Sequence, residues 1–355
     1  MRENKVIYGL IGYGGMGRWH TEILSNVPEI EIGGIYDIKE EKRIEAKEKG
    51  FSVYGSEEEM LSDPDIDVVL IATPNDCHKP IAIRAMHAGK NVISEKPVTL
   101  SSSDLQEMEN VAKETGKFLT VHQNRRWDDD FLIIRKLVEE QKLGHVFRIE
   151  SRVHGSRGIP GDWRKEKIHG GGMVLDWGVH LLDQILYLYG DRKIETVYAS
   201  LTHITNQEVD DGFTTILTFE GGTEVLVEVG TNNYISLPRW YVLGEDGTAV
   251  IRDWQLNGEI IRKTGITEEK VVPVKTAAGL TKTMAPRRED TIVKEELPHV
   301  SGDIADRFTP AERRPGERSW VRAGSGYAWS VRCLRSRRYC RRCRRAHAPH
   351  CARTA

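Results

Sequence analysis

The sequence predicts an α/β protein in two parts: an N-terminal doubly wound parallel sheet and a C-terminal α+β domain with an open, mostly antiparallel sheet. Three observations predict it. Up to residue 121, apolar runs of strand length alternate strictly with helical patterns, the grammar of parallel strands joined by helical crossovers. After Asn124 that alternation stops, and long strands follow one another across turn signals. At 355 residues the chain is also too long for one ordinary core.

The elements of the first part follow in order. Val6–Ile11 is apolar and rich in β-branched residues, as a strand buried on both faces requires. It breaks into Gly12-Tyr13-Gly14-Gly15-Met16-Gly17, then into a helical pattern through Trp19, Ile23 and Leu24. A second strand, Ile30–Tyr36, ends in Asp37. Glu40–Lys49 reads as a charged helix stopped by Gly50, and Ser56-Glu57-Glu58-Glu59 as a capping box opening a short one. Strands Asp67–Ala72, Asn91–Ser94 and Phe118–Val121 alternate with helices Pro80–His87 and Ser103–Thr115, which Gly89 and Gly116 close.

The second part begins with an amphipathic helix from about Asp130 to Glu140, a strand Val146–Val153 and a Gly/Pro/Arg-rich loop over 155–170. A helix from about Met173 to Tyr189 follows. Turn signals at Glu220-Gly221-Gly222, Asp246-Gly247 and Asn257-Gly258 then separate long strands. Apolar residues fall on both strand faces (Ile216, Leu217 and Phe219; Val225, Leu226 and Val227). One face suits the helices. The other suits a subunit interface, so a homodimer or homotetramer is expected. The expected boundaries are 1–122, 123–306 and 307–355.

The last segment has a different composition. Residues 311–355 hold 13 arginines, no lysine and only Glu312 and Glu317 as acids. Three readings fit it. A basic arm would bind nucleic acid, and Cys340, Cys343, His347, His350 and Cys351 would form a zinc site. The preferred reading is non-native, frame-shifted sequence, because hydrophobic periodicity vanishes and the metal spacing is irregular. The net charge is −2, so the rest of the chain is acidic and offers no footprint for nucleic acid. No apolar run approaches the roughly 20 residues of a membrane span. Met1–Lys5 lead straight into the first strand, so no cleavable signal is expected. Cys77 is the only cysteine before residue 333, which suits a reducing cytoplasm.

The glycine loop carries the first chemistry. Gly12 permits a tight turn, Gly14 lets backbone approach a pyrophosphate, and Gly17 lets the helix pack on the strand. The helix N-terminus then directs its N–H groups at that phosphate. Asp37 stands where a carboxylate accepts hydrogen bonds from the adenosine ribose. The pattern is that of a Rossmann dinucleotide site taking NAD rather than NADP, because a 2′-phosphate would meet Asp37. Lys39, Lys42 and Arg43 follow and can soften that choice.

Other stretches stand at the carboxyl ends of strands, where ligands bind in such sheets: Thr73-Pro74-Asn75 with His78, Glu95-Lys96-Pro97, and Arg125-Arg126-Trp127-Asp128. In the second part, Gly170-Gly171-Gly172 precedes Asp176 and His180, four apart and so on one helix face. Gly178 between them suggests close approach of a ligand or backbone. Arg125 and Arg126 also fit a solvated cluster with Asp128 to Asp130. His122 reads as easily as a satisfied buried histidine and is given no role. Cys77 reads as a small packed residue.

The glycine loop, Glu95-Lys96-Pro97, Trp163-Arg164 and Gly170-Gly171-Gly172 with Asp176 and His180 together resemble the Gfo/Idh/MocA oxidoreductase family. That family includes inositol dehydrogenases and glucose–fructose oxidoreductase, and the likeness extends over about residues 5–305. It implies that Lys96 contacts the reacting hydroxyl and the nicotinamide ribose. His180 would be the general base, and Asp176 would bind substrate and orient it. Glu95, Thr73, Pro74, Asn75 and His78 would line the nicotinamide side, and Arg126 and Trp163 the substrate cleft. In some members the Lys-Pro bond is cis. Members usually continue from the Asp303-Ile304-Ala305-Asp306 region into helices that return to the nucleotide domain, and this chain departs there. The resemblance implies an NAD-dependent dehydrogenase for a secondary alcohol of a sugar, glycoside or cyclitol, needing no metal. A non-catalytic NAD-binding regulator on the same fold is the alternative.

Overall fold

The computed structural model describes residues 5–267 and 271–300. The tail and its candidate zinc ligands lie outside the described residues. The described chain divides into two compact units, one of residues 5–124 with Ile168–Gly170, the other of residues 125–167 and 171–300.

The first unit is a five-stranded parallel sheet, ordered β2-β1-β3-β4-β5. Its strands are β1 (Val6–Ile11), β2 (Ile30–Tyr36), β3 (Val68–Ile71), β4 (Asn91–Ser94) and β5 (Leu119–Val121). An isolated parallel bridge, Ile35 to Val53, lies beyond β2. It is what remains of the further strand that a classical 3-2-1-4-5-6 order places there. Helices α1 (Gly15–Leu24), α2 (Glu40–Glu48), α3 (Glu57–Ser62), α4 (His78–His87) and α5 (Ser102–Thr115) connect the strands.

β1 shows why the sheet needs cover on both sides. Val6, Tyr8 and Leu10 enter one core with Ile35 and Val68, while Ile7 and Ile11 enter another with Val69, Ile81 and Met86. This is the period of two that sends alternate side chains to opposite faces. The helix ends follow the sequence. Ser56 Oγ accepts the Glu59 amide at 3.1 Å, while Glu59 reaches back to the Gly55 amide at 2.6 Å. Ser101 caps α5, and Gly116 closes it at φ 64°.

The second unit contains α6 (Asp129–Glu139), β6 (Val146–His154) and α7 (Val179–Tyr189). The strands β7 (Ile194–Thr202), β8 (Gly212–Phe219), β9 (Glu224–Gly230), β10 (Trp240–Gly244), β11 (Gly247–Ile251) and β12 (Gly258–Lys263) follow. After them come a small hairpin, β13 (Val274–Thr276) with β14 (Gly279–Thr281), and then β15 (Ile292–Glu295). The main sheet is ordered β15-β12-β11-β10-β6-β9-β8-β7. Its described pairs are antiparallel except β6 with β9. Its inner face buries Ile149, Leu217, Val225, Val227 and Val242 against Phe131, Ile134 and Leu137 of α6 and Leu181 and Ile185 of α7. The outer face is mixed rather than apolar. Ile216 and Leu226 lie beside a ladder in which Arg148 bonds Glu150 and Glu224, and Arg152 bonds Glu150 and Glu228.

Candidate active site

The glycine loop sits where β1 turns into α1. Gly12 has φ +96°, and a Cβ there would lie 2.5 Å from the Ala72 carbonyl oxygen. A Cβ on Gly17 would lie 2.1 Å from the Gly12 oxygen, so turn and helix meet at backbone distance. At Gly14 and Gly15 a Cβ would meet nothing within 4 Å. No side chain caps the start of α1, and its first turn holds no acid. An open backbone cradle at a helix N-terminus fits the pyrophosphate of a dinucleotide.

Asp37 is fixed against this loop. Its Oδ2 accepts the Tyr13 amide at 2.6 Å and its Oδ1 the Lys39 amide at 2.9 Å. Two of the nearby cations are engaged. Arg43 Nη1 donates to the carbonyls of Asp37 and Ile38, and Lys42 pairs with Glu45. Tyr13 belongs to the loop only through its backbone. Its ring is fully buried, edge-on to Phe51. Met16 is partly exposed at the start of α1.

Glu95, Lys96 and Pro97 leave the end of β4, and the Lys96–Pro97 bond is cis. Lys96 is half-buried, while Glu95 and Pro97 are buried. Glu95 Oε1 takes hydrogen bonds from His20 Nε2 at 2.6 Å and His122 Nδ1 at 2.9 Å. Burial alone would raise the Glu95 carboxyl pKa. The charge on His122 and hydrogen bonds from His122 and His20 hold it well below the usual range. Histidine and glutamate are metal-ligand types, and these three donor atoms lie within 4.8 Å of one another. The two nitrogens, however, stand at hydrogen-bond distance from one oxygen, shorter than the about 3.3 Å that separates tetrahedral zinc ligands. Hydrogen bonding accounts for the cluster.

Two residues beside it turn inward. His78 places Nδ1 2.8 Å from the Pro97 carbonyl and Nε2 3.0 Å from the Thr73 carbonyl, tying the two strand ends together. Asn75 donates from Nδ2 to the Gly170 carbonyl at 2.9 Å. Thr73 Oγ1 bonds the carbonyl of Pro74.

In the second unit, the expected continuous helix from Met173 is a π-turn, Val174–Gly178, running into α7. The amide of Val179 bonds the carbonyl of Val174, five residues back. Such turns are uncommon and concentrate at functional sites. Asp176 lies in it and His180, buried, in the first turn of α7. Asp176 pairs with Arg164 at 3.3 Å, and the Arg164 guanidinium lies 4.5 Å over the Trp163 ring. The Trp177 ring lies between His180, 6.0 Å away, and Arg125, whose guanidinium is 4.1 Å from it.

Close approach at Gly178 is neither to a ligand nor to backbone, the two expected partners, but to a side chain. A Cβ would come 2.9 Å from the Phe213 ring of β8, so the glycine lets the helix sit on the sheet. Gly178→Ala is expected to cost about 1–3 kcal/mol by overpacking, read as a lower midpoint in chemical denaturation.

Arg126 forms a two-pronged ion pair with Asp183 of α7, at 2.6 and 2.5 Å, and stacks over Tyr187. Arg125 pairs with Asp128 at 2.8 Å. Sequence reasoning gave no role to His20, His122 or Arg164. Nothing local marks His20 and His122, whose partner Glu95 is set by the fold, while Arg164 divides its guanidinium between its neighbour Asp162, at 2.7 Å, and Asp176.

Residues 6–123 match the family described as "Oxidoreductase family, NAD-binding Rossmann fold", and residues 131–250 match the GFO/IDH/MocA C-terminal domain. A solved NAD-binding protein from Listeria innocua is 48% identical, with a TM-score of 0.84 over 94% of this chain and 90% of that one. The uncharacterized oxidoreductase YdgJ of Escherichia coli is 37% identical over 190 residues, 53% of this chain and 55% of YdgJ. The scyllo-inositol 2-dehydrogenase (NADP(+)) IolW of Bacillus subtilis is 30% identical over 244 residues, 68% of this chain and 67% of IolW. The chain thus spans about half the length of YdgJ and two thirds of IolW. With both of its domains matched in order, the chain belongs to the Gfo/Idh/MocA oxidoreductase family.

Proposed function

We propose that the chain is an NAD-dependent dehydrogenase acting on a secondary alcohol of a sugar, glycoside or cyclitol. The observation that carries this reading is the π-turn and first turn of α7, which hold Asp176, paired to Arg164, and buried His180. The similarity to IolW supports an inositol-like substrate.

In this reading His180 accepts the hydroxyl proton and Lys96 stabilises the alkoxide that develops. Asp176 holds a substrate hydroxyl and orients the imidazole. A bound nicotinamide would supply the redox chemistry as hydride acceptor. Gly14, Gly15 and the start of α1 would hold its pyrophosphate, and Asp37 the adenosine ribose. Steady-state kinetics across inositols, sugars and glycosides test the reading, with saturable NAD reduction expected for at least one of them.

Cofactor choice is a second expectation. A 2′-phosphate beside Asp37 brings like charges to about 4 Å, costing about 1 kcal/mol in water and about 4 kcal/mol at an effective dielectric of 20. That corresponds to about a tenfold to a thousandfold preference for NAD. Lys42 is paired with Glu45, away from Asp37, whereas Arg43 Nη1 lies on the Asp37 and Ile38 carbonyls and reduces the preference toward the lower figure. Equal kcat/KM with NAD and NADP contradicts it.

A further inference from the structure

Glu95 is only 5% exposed, and the two imidazoles on it come from distant elements, His20 from α1 and His122 from the end of β5. Both converge on Oε1. The other oxygen, Oε2, accepts the backbone amide of Lys96 at 3.1 Å. One carboxylate therefore connects two buried histidines to the main chain of the proposed catalytic lysine. The histidine rings stand 4.8 Å apart, and Trp19 lies against both at 5.2 and 5.8 Å.

Charge balance constrains this cluster. A carboxylate beside two neutral imidazoles leaves a net negative charge away from water, which is costly. One additional proton on the imidazole pair neutralises it. Burial disfavours that charge on His20, against the pull of its hydrogen bond to Glu95. Another ionisable side chain in the field of Glu95 is His78 of α4, on which Asp76 also acts. His78 also fixes the far side of the corner, through the Pro97 carbonyl.

We propose that His20 and His122 are positioning residues for Lys96, acting through Glu95, and that the three side chains form a sealed triad sharing one titrating proton. The effect on turnover rests on the dehydrogenase reading above; the coupling to the Lys96 amide does not. A misplacement of about 1 Å at a reacting group can lower turnover by about a hundredfold, so a lysine held at its own amide is sensitive to this carboxylate.

The experiment uses the full chain with isotope-labelled histidine and lysine. In an NMR pH titration, the imidazoles of His20 and His122 and the Lys96 amide are expected to shift together in one step. A flat Lys96 amide, or two independent histidine steps, overturns the proposal. In kinetics, His122→Leu is expected to lower kcat by about tenfold to a hundredfold. The Kd for NAD should stay within about threefold, and the acid limb of the kcat profile should lose the triad's ionisation while keeping the one from His180. His122→Gln, whose amide can donate to Glu95, should recover most of kcat without the triad's ionisation. Wild-type kcat and pH profile in His122→Leu overturn the positioning role. If the wild type turns over no polyol, the dehydrogenase reading fails while the titration still decides the triad. Stoichiometric zinc uptake that abolishes both histidine titrations would put a cation where the proton is proposed, and would overturn it as well.

Discussion

His180→Ala should lower kcat by about a hundredfold to ten-thousandfold on the best substrate, while the Kd for NAD changes little. A secondary alcohol is far too weak an acid to lose its proton unaided near neutral pH. A positioned base typically contributes a factor of that size. His180 suits the task by placement: it is buried in the first turn of α7, directly after a π-turn, with the Trp177 ring 6.0 Å away. Lys96→Ala should cost at least as much, because in the proposed mechanism it removes both the partner of the alkoxide and a contact to the cofactor. Asp176→Asn should raise KM as well as lower kcat, since the carboxylate is assigned both substrate and histidine. In His180→Ala the ionisation that His180 contributes to the pH profile should disappear, leaving the one assigned to the triad. If His180→Ala keeps near wild-type kcat, the base is another group, and a neutral Lys96 is the next candidate.

The largest expected effect on stability lies elsewhere in the second unit. Asp130, 4% exposed at the start of α6, accepts bonds from the Arg239 guanidinium and from Trp240 Nε1 at 3.0 Å, and its other oxygen accepts the Phe131 amide at 2.8 Å. Arg239 is 5% exposed and stacks 3.5 Å over Trp254. Asp130→Ala would leave a guanidinium buried without its counter-charge, a change that typically costs about 3–5 kcal/mol. Denaturant unfolding of this unit should show a loss of that order. Arg252→Ala, which removes the exposed pair with Glu259, should cost less than about 1 kcal/mol. Equal effects of the two substitutions would refute the assignment.

Much of the first unit was legible in the sequence, because local chemistry dictates it. The glycine loop lies between a strand and a helix whose periods differ, and Ser56 and Ser101 cap helices through residues three positions away. The outermost strand was harder to read. Only the bridge between Ile35 and Val53 remains of it, and no sequence pattern distinguishes one bridge from a loop. The π-turn was invisible because the sequence from Val174 to Gly178 fits an ordinary helix, and one widened turn changes no residue type. Arg126 shows the limit of reading pairs from proximity. The neighbouring aspartates offered a local partner, but the structure gives it Asp183, 57 positions away. The Glu95 triad is the extreme case. Its histidines stand 75 and 27 positions from the carboxylate, and only the parallel sheet brings their elements together. The strand period placed Ile216 and Leu226 on the outer face as read, and the same period sets Glu224 and Glu228 beside them, where Arg148 and Arg152 of the neighbouring strand pair with them.

NADH formation by the wild-type chain, followed by its near-ultraviolet absorbance across a panel of inositols, sugars and glycosides, tests the assignment most directly. The account predicts saturable, NAD-dependent turnover on at least one ring alcohol, with one carbonyl product formed per NADH. Tight NAD binding with no hydride transfer from any member of the panel would contradict it, and would make the chain a cofactor-binding regulator on the same fold.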